Sequence, residues 1–291
     1  MYKTTARRII VAVITAIFIS NAQAQTQKNV EYTKADSAQI VGILRNAPQL
    51  IGDENPMIYF GRQFLDVPYV AHTLEEGTHE HLIVNTHGLD CTTFVETVFA
   101  LYQCHKHNER TFDAFCKYLK MIRFRNGKMT DYTSRLHYFT WWGEDNERLG
   151  LVRQIASDSA PFTAVQTIHI DYMSQHPSFY KQLKLHPEFV PVIKQLEQES
   201  EGRKFRYIPK SLLNGTQKQL SDVHTGDIIS IITNKPGLDT SHVGIVFWKE
   251  GRLHLMHASS LYKKVVMDSK TFYDYSQAQG SHLGIRIYRP L

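Results

Sequence analysis

The sequence predicts an α+β fold in which helices come first and strands come second. Up to residue 122, apolar residues recur at the spacing of amphipathic helices, whereas from Arg206 onward short alternating apolar runs are separated by Gly, Pro and Asn turns. No internal repeat interrupts this order. Helices followed by a block of strands indicate helices packed on an antiparallel sheet rather than alternating βαβ units.

Four helices and one short strand are predicted in the first part of the chain. The helix from Asp90 to His107 has the clearest pattern, with Phe94, Val95, Val98 and Leu101 on one face. The other predicted helices run from Tyr32 to Leu50, Pro56 to Phe64 and Thr111 to Ile122, and the strand runs from His81 to Val84.

The remainder is predicted to be an insertion followed by a sheet. Between Arg123 and Arg203 the sequence changes to aromatic-rich loops and short helices broken by prolines, which we interpret as an insertion. The predicted strands run from Gly226 to Ile232, His242 to Trp248, Arg252 to Ala258, Lys263 to Met267 and Gly284 to Tyr288.

The N-terminus has the pattern of a secretory signal peptide. Basic residues Lys3, Arg7 and Arg8 precede an apolar run from Ile9 to Ile19, which is too short to span the roughly 30 Å of a bilayer core. Small residues at Ala22 and Ala24 follow, and no Cys comes after them to accept a lipid. We therefore expect residues 1–24 to be removed, leaving residues 25–291 as a single periplasmic or secreted domain without a membrane anchor.

The net charge gives no sign of a nucleic-acid partner. The formal charge is +5, but three positive charges belong to the signal segment. Proteins that bind nucleic acid usually concentrate Lys and Arg on one face or helix, which this sequence does not do.

Of the three cysteines, Cys91 is placed for chemistry. It follows Asp90, a good N-cap residue, and begins a helix whose unpaired N–H groups favour a thiolate and can hold an oxyanion. Cys104 and Cys116 lie in apolar helical surroundings and are interpreted as buried and inert.

A nucleophilic cysteine needs a base, and the strand pattern selects His242. This residue shares one face of its strand with Gly244 and Val246, and it can point into a cleft from the strand edge. On the next strand His257 can orient the imidazole, because His257 and His254 face opposite ways. Asp239 and His254 are the alternatives for the orienting residue.

Three segments in this order resemble the NlpC/P60 superfamily of papain-like cell-wall hydrolases. They are Asp90 to Val95, which is similar to the family's nucleophile helix, Ser241 to Ile245, similar to its base strand, and Leu255 to Ser259, similar to its orienting strand. Upstream, Asp66 to Tyr69 is similar to the segment whose Tyr borders the nucleophile. The resemblance implies a papain-like fold, a catalytic triad of Cys91, His242 and His257, and Tyr69 beside it.

Most of the chain resembles one subgroup more closely, the DUF1460 proteins, which are similar to N-acetylmuramoyl-L-alanine amidases. The likeness rests on Asp90 to Glu96, Ser134 to Phe139, Tyr207 to Lys210 and Gly237 to His242. It implies peptidoglycan fragments (muropeptides) as substrate. We also expect a monomer with no metal or cofactor. The predicted substrate-binding residues are Tyr69, Asp90, Thr92, Arg135, His137, Tyr138 and Trp141.

Alternative functions remain open. Asp90 could hold the free amine of a peptide stem, which favours a γ-D-glutamyl-diamino-acid endopeptidase, whereas the aromatic residues Tyr132, Tyr138, Trp141 and Trp142 could form a wall against a sugar and favour the amidase. A non-catalytic peptidoglycan-binding module is a further possibility. A zinc amidase is disfavoured, because strand residues three apart, such as His254 and His257, face opposite ways.

Overall fold

The structure, a computed structural model, describes residues 29–291. The predicted signal peptide lies outside the described residues. None of the helices in residues 29–291 combines the length and apolar character needed to cross a bilayer.

The structure has the predicted α+β class. The helices are α1 (Lys34–Leu50), α2 (Pro56–Arg62), α3 (Cys91–Lys106), α4 (Phe112–Arg123), α5 (Phe139–Arg148), α6 (Tyr172–Gln175), α7 (Lys181–Leu185), α8 (Phe189–Glu199) and α9 (Phe272–Gln277). The strands are β1 (Val30–Glu31), β2 (Leu82–Ile83), β3 (Val152–Ile155), β4 (Ala164–Thr167), β5 (Lys204–Pro209), β6 (Ile228–Thr233), β7 (Thr240–Lys249), β8 (Arg252–Ser259), β9 (Lys264–Met267) and β10 (His282–Pro290).

An antiparallel sheet of eight strands forms the second half of the fold. Its order is β4-β5-β10-β6-β7-β8-β9, and β3 pairs with the end of β10. The short strands β1 and β2 form a separate parallel pair. The prediction of an antiparallel sheet behind a set of helices is confirmed.

Helix α3 is the central helix of the molecule. Phe94, Val95 and Val98 are fully buried, and the helix contacts α1, α2 and α4 as well as strands β7 and β8. It begins with a capping box in which the Asp90 carboxylate accepts the N–H of Thr93 at 2.8 Å and the Thr93 hydroxyl accepts the N–H of Asp90 at 2.9 Å. This reciprocal pair fixes the residue at which the helix starts, and that residue is Cys91.

Strand β7 separates two hydrophobic cores. Val243, Ile245 and Phe247 belong to the core that contains α3, whereas Val246 packs into a second core on the other face of the sheet. This is the alternation predicted from the sequence, with His242 and Gly244 on the face of Val246.

The segment from 123 to 203 is more closely joined to the sheet than predicted. The prediction of loops and short helices missed β3 and β4, which pair with β10 and β5 respectively. Each strand has only four residues, and β4 alternates between half-buried and exposed positions. Such short, partly exposed strands form because a neighbouring strand offers free backbone groups, and a local pattern does not show that.

Candidate active site

Cys91 is the first residue of α3 and opens onto a small cavity. The side chain is partly buried, and the cavity has a volume of about 180 Å³. Its walls come from α3, from the residues that lead into α5, and from the start of β7. The lining residues are Cys91, Thr92, Leu136, His137, Tyr138, Phe139, Met173, Tyr180, Leu238, Asp239, Thr240, Ser241, His242 and Val243.

A larger cavity of about 540 Å³ lies beside β1 and α4. It contains Cys116 but neither Cys91 nor a histidine. The smaller cavity is the better candidate because both a thiol, that of Cys91, and an imidazole, that of His242, line it.

His242 is held by a hydrogen bond to His257. The Nε2 atom of His242 lies 2.6 Å from Nδ1 of His257, and the two rings meet edge to face, with an interplanar angle of 85°. His257 is fully buried on β8. With Nε2 engaged, Nδ1 of His242 is the ring nitrogen left to serve as a base.

The strand register brings the two histidines together. Ile245 of β7 pairs with Met256 of β8, so Gly244 lies opposite His257 and His242 lies diagonally across from it. A Cβ at Gly244 would stand 3.2 Å from the Cβ of His257, so glycine permits a closer approach of the two strands on this face.

Asp268 extends this line of side chains, and sequence reasoning missed it. Its Oδ2 atom lies 3.8 Å from Nε2 of His257, and both side chains are almost completely buried. Asp268 follows β9 in a turn without a motif, so no sequence signal marked it.

The two alternatives for the orienting residue form hydrogen bonds with other groups. Asp239 accepts the N–H of Thr140 at 2.6 Å, and Nδ1 of His254 lies 3.1 Å from the backbone oxygen of Asp268. Neither replaces His257 as the hydrogen-bonding partner of His242.

Burial favours the neutral forms of Cys91 and His242. Burial raises the pKa of the Cys91 thiol to about 12, the nearby Asp90 carboxylate acts in the same direction, and the N–H groups of Val243 and Thr92 oppose both. Burial, followed by the nearby His257 and His282, lowers the pKa of His242 well below its ordinary value. The sequence-based expectation that the helix start favours a thiolate is therefore outweighed by burial.

Three of the predicted substrate-binding residues line the cavity. They are Thr92, His137 and Tyr138. Burial, followed by the charge of Arg135, lowers the pKa of His137 to about 3, so its ring is neutral, and its Nε2 lies 2.8 Å from the backbone oxygen of Tyr132. The Tyr138 hydroxyl donates to Glu197 at 2.7 Å, so this residue presents its ring rather than a free hydroxyl.

Tyr69 and Asp90 lie close to Cys91 without lining the cavity. Burial, followed by the charges of Cys91 and Asp90, raises the pKa of Tyr69 to about 12, and the backbone of Tyr69 pairs with Leu89 just before the helix. The Asp90 carboxylate accepts the N–H and the hydroxyl of Thr93, each at 2.8 Å. Its geometry is that of a helix cap.

The expectation that Arg135 lines the cleft needs correction. Its guanidinium is buried and contacts the carboxylates of Glu75 and Glu80, each at 2.7 Å. The Glu80 side chain is itself only 1% exposed. A buried carboxylate needs a cation beside it, so Arg135 stabilises the interior behind His137.

Trp141 and the predicted aromatic wall also need correction. The indole N–H of Trp141 donates to the Ser200 hydroxyl at 2.7 Å, Trp142 stacks on Phe139 with ring centroids 4.6 Å apart, and Tyr132 is buried. Of the four aromatic residues proposed for the wall, Tyr138 lines the cavity. The aromatic rings of this segment mainly fill the core, where they bury the most apolar area.

Other cavity residues were not identified from the sequence. Met173 and Tyr180 come from α6 and the chain before α7, and Leu238 comes from the loop before β7. They are apolar or aromatic residues without a motif, and only the folded chain brings them next to Cys91.

A thiol, a neutral imidazole and a second histidine that orients the first make up a set of groups that can supply nucleophile and base. In the described part of the chain, no group of three or more His, Cys, Asp or Glu residues is arranged as a metal site. The protein is therefore an α+β protein whose candidate active site combines a thiol at the start of a helix with an imidazole from the sheet.

Comparison with known proteins identifies the family. Residues 59–284 match the AmiA-like family, described as N-acetylmuramoyl-L-alanine amidase-like. The chain belongs to this family. The amidase-like subgroup predicted from the sequence is thereby confirmed, while the wider NlpC/P60 assignment and the papain-like fold stay predictions.

Several solved structures are similar to this chain. An N-acetylmuramoyl-L-alanine amidase from Bacteroides uniformis is 40% identical, with a TM-score of 0.75, over 81% of this chain and 97% of its own. A protein from Bacteroides fragilis described as a putative xylanase is also 40% identical, with a TM-score of 0.74, over 79% of this chain and 99% of its own. A DUF1460 protein from Legionella pneumophila is 22% identical with a TM-score of 0.68, over 89% of this chain and 95% of its own, and shares the fold. No curated protein matches the chain.

Proposed function

We propose that this chain is a cysteine amidase that hydrolyses the amide between N-acetylmuramic acid and L-Ala in peptidoglycan fragments. The observation that carries the proposal is that Cys91, at the start of α3, lines the same cavity as His242. The Nε2 atom of His242 is hydrogen-bonded to His257, which leaves Nδ1 available as the base. The family match and the Bacteroides uniformis amidase support the choice of bond.

The first half of the reaction forms a thioester. As the Sγ of Cys91 attacks the lactyl carbonyl carbon of the muramic acid, its proton passes to Nδ1 of His242. The tetrahedral oxyanion is stabilised by N–H groups at the start of α3 that have no partner within the helix. His242 then gives the proton to the amine of L-Ala, the C–N bond breaks, and the peptide leaves.

The second half restores the enzyme. A water molecule attacks the thioester carbonyl while His242 accepts one of its protons, and the C–S bond breaks as Cys91 regains a proton from His242. The products are the free lactyl carboxylate of the sugar and the free peptide. The lowered pKa of His242 suits these steps, because His242 must be unprotonated before each attack.

The geometry weakens the case for the endopeptidase. That reading relies on Asp90 to hold a free amine, but its carboxylate caps α3 and does not line the cavity. A second cavity of about 270 Å³ shares the lining residues Leu238 and Asp239 with the cavity at the thiol and therefore lies next to it. A binding module would need neither the thiol nor the paired histidines.

The proposal includes the setting of the reaction. On the basis of the predicted signal peptide and the family, we place the mature chain in the periplasm or outside the cell. We propose that it acts there on muropeptides as a monomer, and that the chemistry requires no metal or cofactor.

The test compares two cysteine variants on two substrates. Wild type, Cys91→Ala and Cys104→Ala are incubated with a disaccharide-tripeptide and with the free tripeptide, and products are identified by mass spectrometry. Wild type and Cys104→Ala are expected to release the sugar and an intact tripeptide from the first substrate and to leave the second unchanged. Cys91→Ala should stay folded and lose several orders of magnitude in rate.

Each failure has a separate meaning. Turnover by Cys91→Ala near the wild-type rate would exclude the cysteine mechanism. Release of L-Ala-D-Glu from either substrate would show that the enzyme is an endopeptidase. Binding of the disaccharide-tripeptide without any product from wild type would favour the binding module.

A further inference from the structure

Asp268 and His257 present unpaired polar atoms to each other in the interior. The Oδ2 atom of Asp268 and the Nε2 atom of His257 are both buried, and each lacks a hydrogen-bond partner in the structure. They lie 3.8 Å apart. A buried polar atom without a hydrogen bond lowers the stability of the fold, and a small side-chain rotation would bring these two atoms within hydrogen-bonding distance. We therefore expect them to form a hydrogen bond with each other.

The other oxygen of Asp268 is anchored. Oδ1 accepts the backbone N–H of Lys270 at 2.9 Å and the hydroxyl of Tyr262 at 3.4 Å. Burial by itself raises the pKa of Asp268, but the nearby His257 side chain and the backbone N–H of Lys270 outweigh it and hold the pKa below its ordinary value. Asp268 is therefore an ionised carboxylate with one oxygen fixed and the other directed at His257.

We propose that Asp268 is a positioning residue that sets the tautomer of both histidines and so leaves Nδ1 of His242 free to accept the proton of Cys91. This rests on the proposed cysteine mechanism. A carboxylate can only accept, so Nε2 of His257 must carry the proton that faces it. Nδ1 of His257 is then an acceptor.

The tautomer of His257 in turn determines the tautomer of His242. Since Nδ1 of His257 accepts, the 2.6 Å hydrogen bond requires Nε2 of His242 to donate. A neutral His242 with its proton on Nε2 has an unprotonated Nδ1, which is the state that a base needs. One buried carboxylate thus fixes both proton positions.

The variant Asp268→Asn is expected to reverse the direction of these hydrogen bonds. The N–H of Lys270 needs an acceptor, so the amide oxygen takes the Oδ1 position and the NH₂ group faces Nε2 of His257. Nε2 must then accept, His257 carries its proton on Nδ1, and His242 is driven to accept on Nε2 and to hold its proton on Nδ1. The base nitrogen is blocked although no atom of Cys91 or His242 has been removed.

The experiment measures the tautomers and the rates separately. Histidines labelled with ¹⁵N report by NMR which ring nitrogen carries the proton, and steady-state kinetics with the disaccharide-tripeptide gives kcat and KM. We expect wild-type His257 and His242 to carry their protons on Nε2. Asp268→Asn should move both protons to Nδ1 and lower kcat by roughly 10²- to 10⁴-fold with little change in KM.

Two controls separate positioning from structure. Asp227→Asn also removes a buried carboxylate, one that pairs with Arg289 at 2.8 Å and does not line the cavity, so it should lower stability without changing kcat or the tautomers. Tyr262→Phe removes the weaker contact to Oδ1 and leaves the carboxylate in place, so kcat should stay within a few-fold of wild type.

The possible failures are distinguishable. If wild-type His257 carries its proton on Nδ1, the proposal is wrong, and this measurement needs no variant to fold. A folded Asp268→Asn that keeps the wild-type kcat also overturns it. If instead Cys91→Ala is active, the cysteine mechanism fails, while the tautomer measurement still decides what Asp268 does to the histidines.

Discussion

Gly244→Ala should disturb the histidine pair without touching a titratable group. The added Cβ would stand 2.7 Å from Cδ1 of Leu255, 3.0 Å from the backbone oxygen of Met256 and 3.2 Å from the Cβ of His257. Leu255 can turn away in part, but the other two atoms belong to the backbone and Cβ positions of β8. Strands β7 and β8 must therefore separate by a few tenths of an ångström at this point.

The magnitude follows from these contacts. Adding a methyl group to a packed site costs about 1–3 kcal/mol, and in a chain of this size each kcal/mol lowers Tm by about 2–4 °C. The same separation lengthens the 2.6 Å contact between His242 and His257. Because misplacement by about 1 Å can reduce a rate about 100-fold, we expect kcat to fall roughly tenfold.

The assay combines thermal unfolding with kcat for the disaccharide-tripeptide. Gly42→Ala is the matched control, because Gly42 lies within helix α1 and a Cβ there would meet nothing within 4 Å. Alanine is the better helix former, so this control should gain about 0.5–1 kcal/mol and keep the wild-type kcat. If Gly244→Ala had the Tm and kcat of wild type, the close approach of the strands would not be what positions the pair.

Two other predictions concern charge. The lowered pKa of His242 keeps its imidazole neutral in mild acid, so kcat/KM should stay constant as the pH falls below 6.5 and decrease only near the lowered pKa of His242. The raised pKa of Cys91, about 12, means that little thiolate forms near pH 8–9, so kcat/KM should not increase there. An acid limb centred at or above 6.5 in the pH profile would contradict this assignment. Arg135→Met should leave Glu80 buried without its cation and lower the free energy of unfolding by about 3–5 kcal/mol in urea titrations, with KM unchanged. A raised KM at unchanged stability would instead return Arg135 to the substrate cleft.

The sequence by itself determined the elements whose causes are local. The helix that begins at Cys91 was predicted from Asp90 to His107 and runs from Cys91 to Lys106, because the cap residues and the apolar repeat lie within the segment itself. The two faces of β7 were also predictable, since alternation along a strand follows from backbone geometry alone. These two local rules placed Cys91 at a helix start and His242 at a strand edge.

The tertiary structure decided everything that depends on a distant partner. The sequence marked Arg135 and Trp141 as substrate residues, but Glu80 and Ser200 engage them in the interior. Asp268 had no local signal, and only the pairing of β8 with β9 brings that turn towards His257. A sequence pattern shows which side of its own helix or strand a residue faces. The function of a carboxylate, an arginine or an indole depends instead on the groups that long-range packing places within about 3–4 Å of it, and a local pattern does not show these.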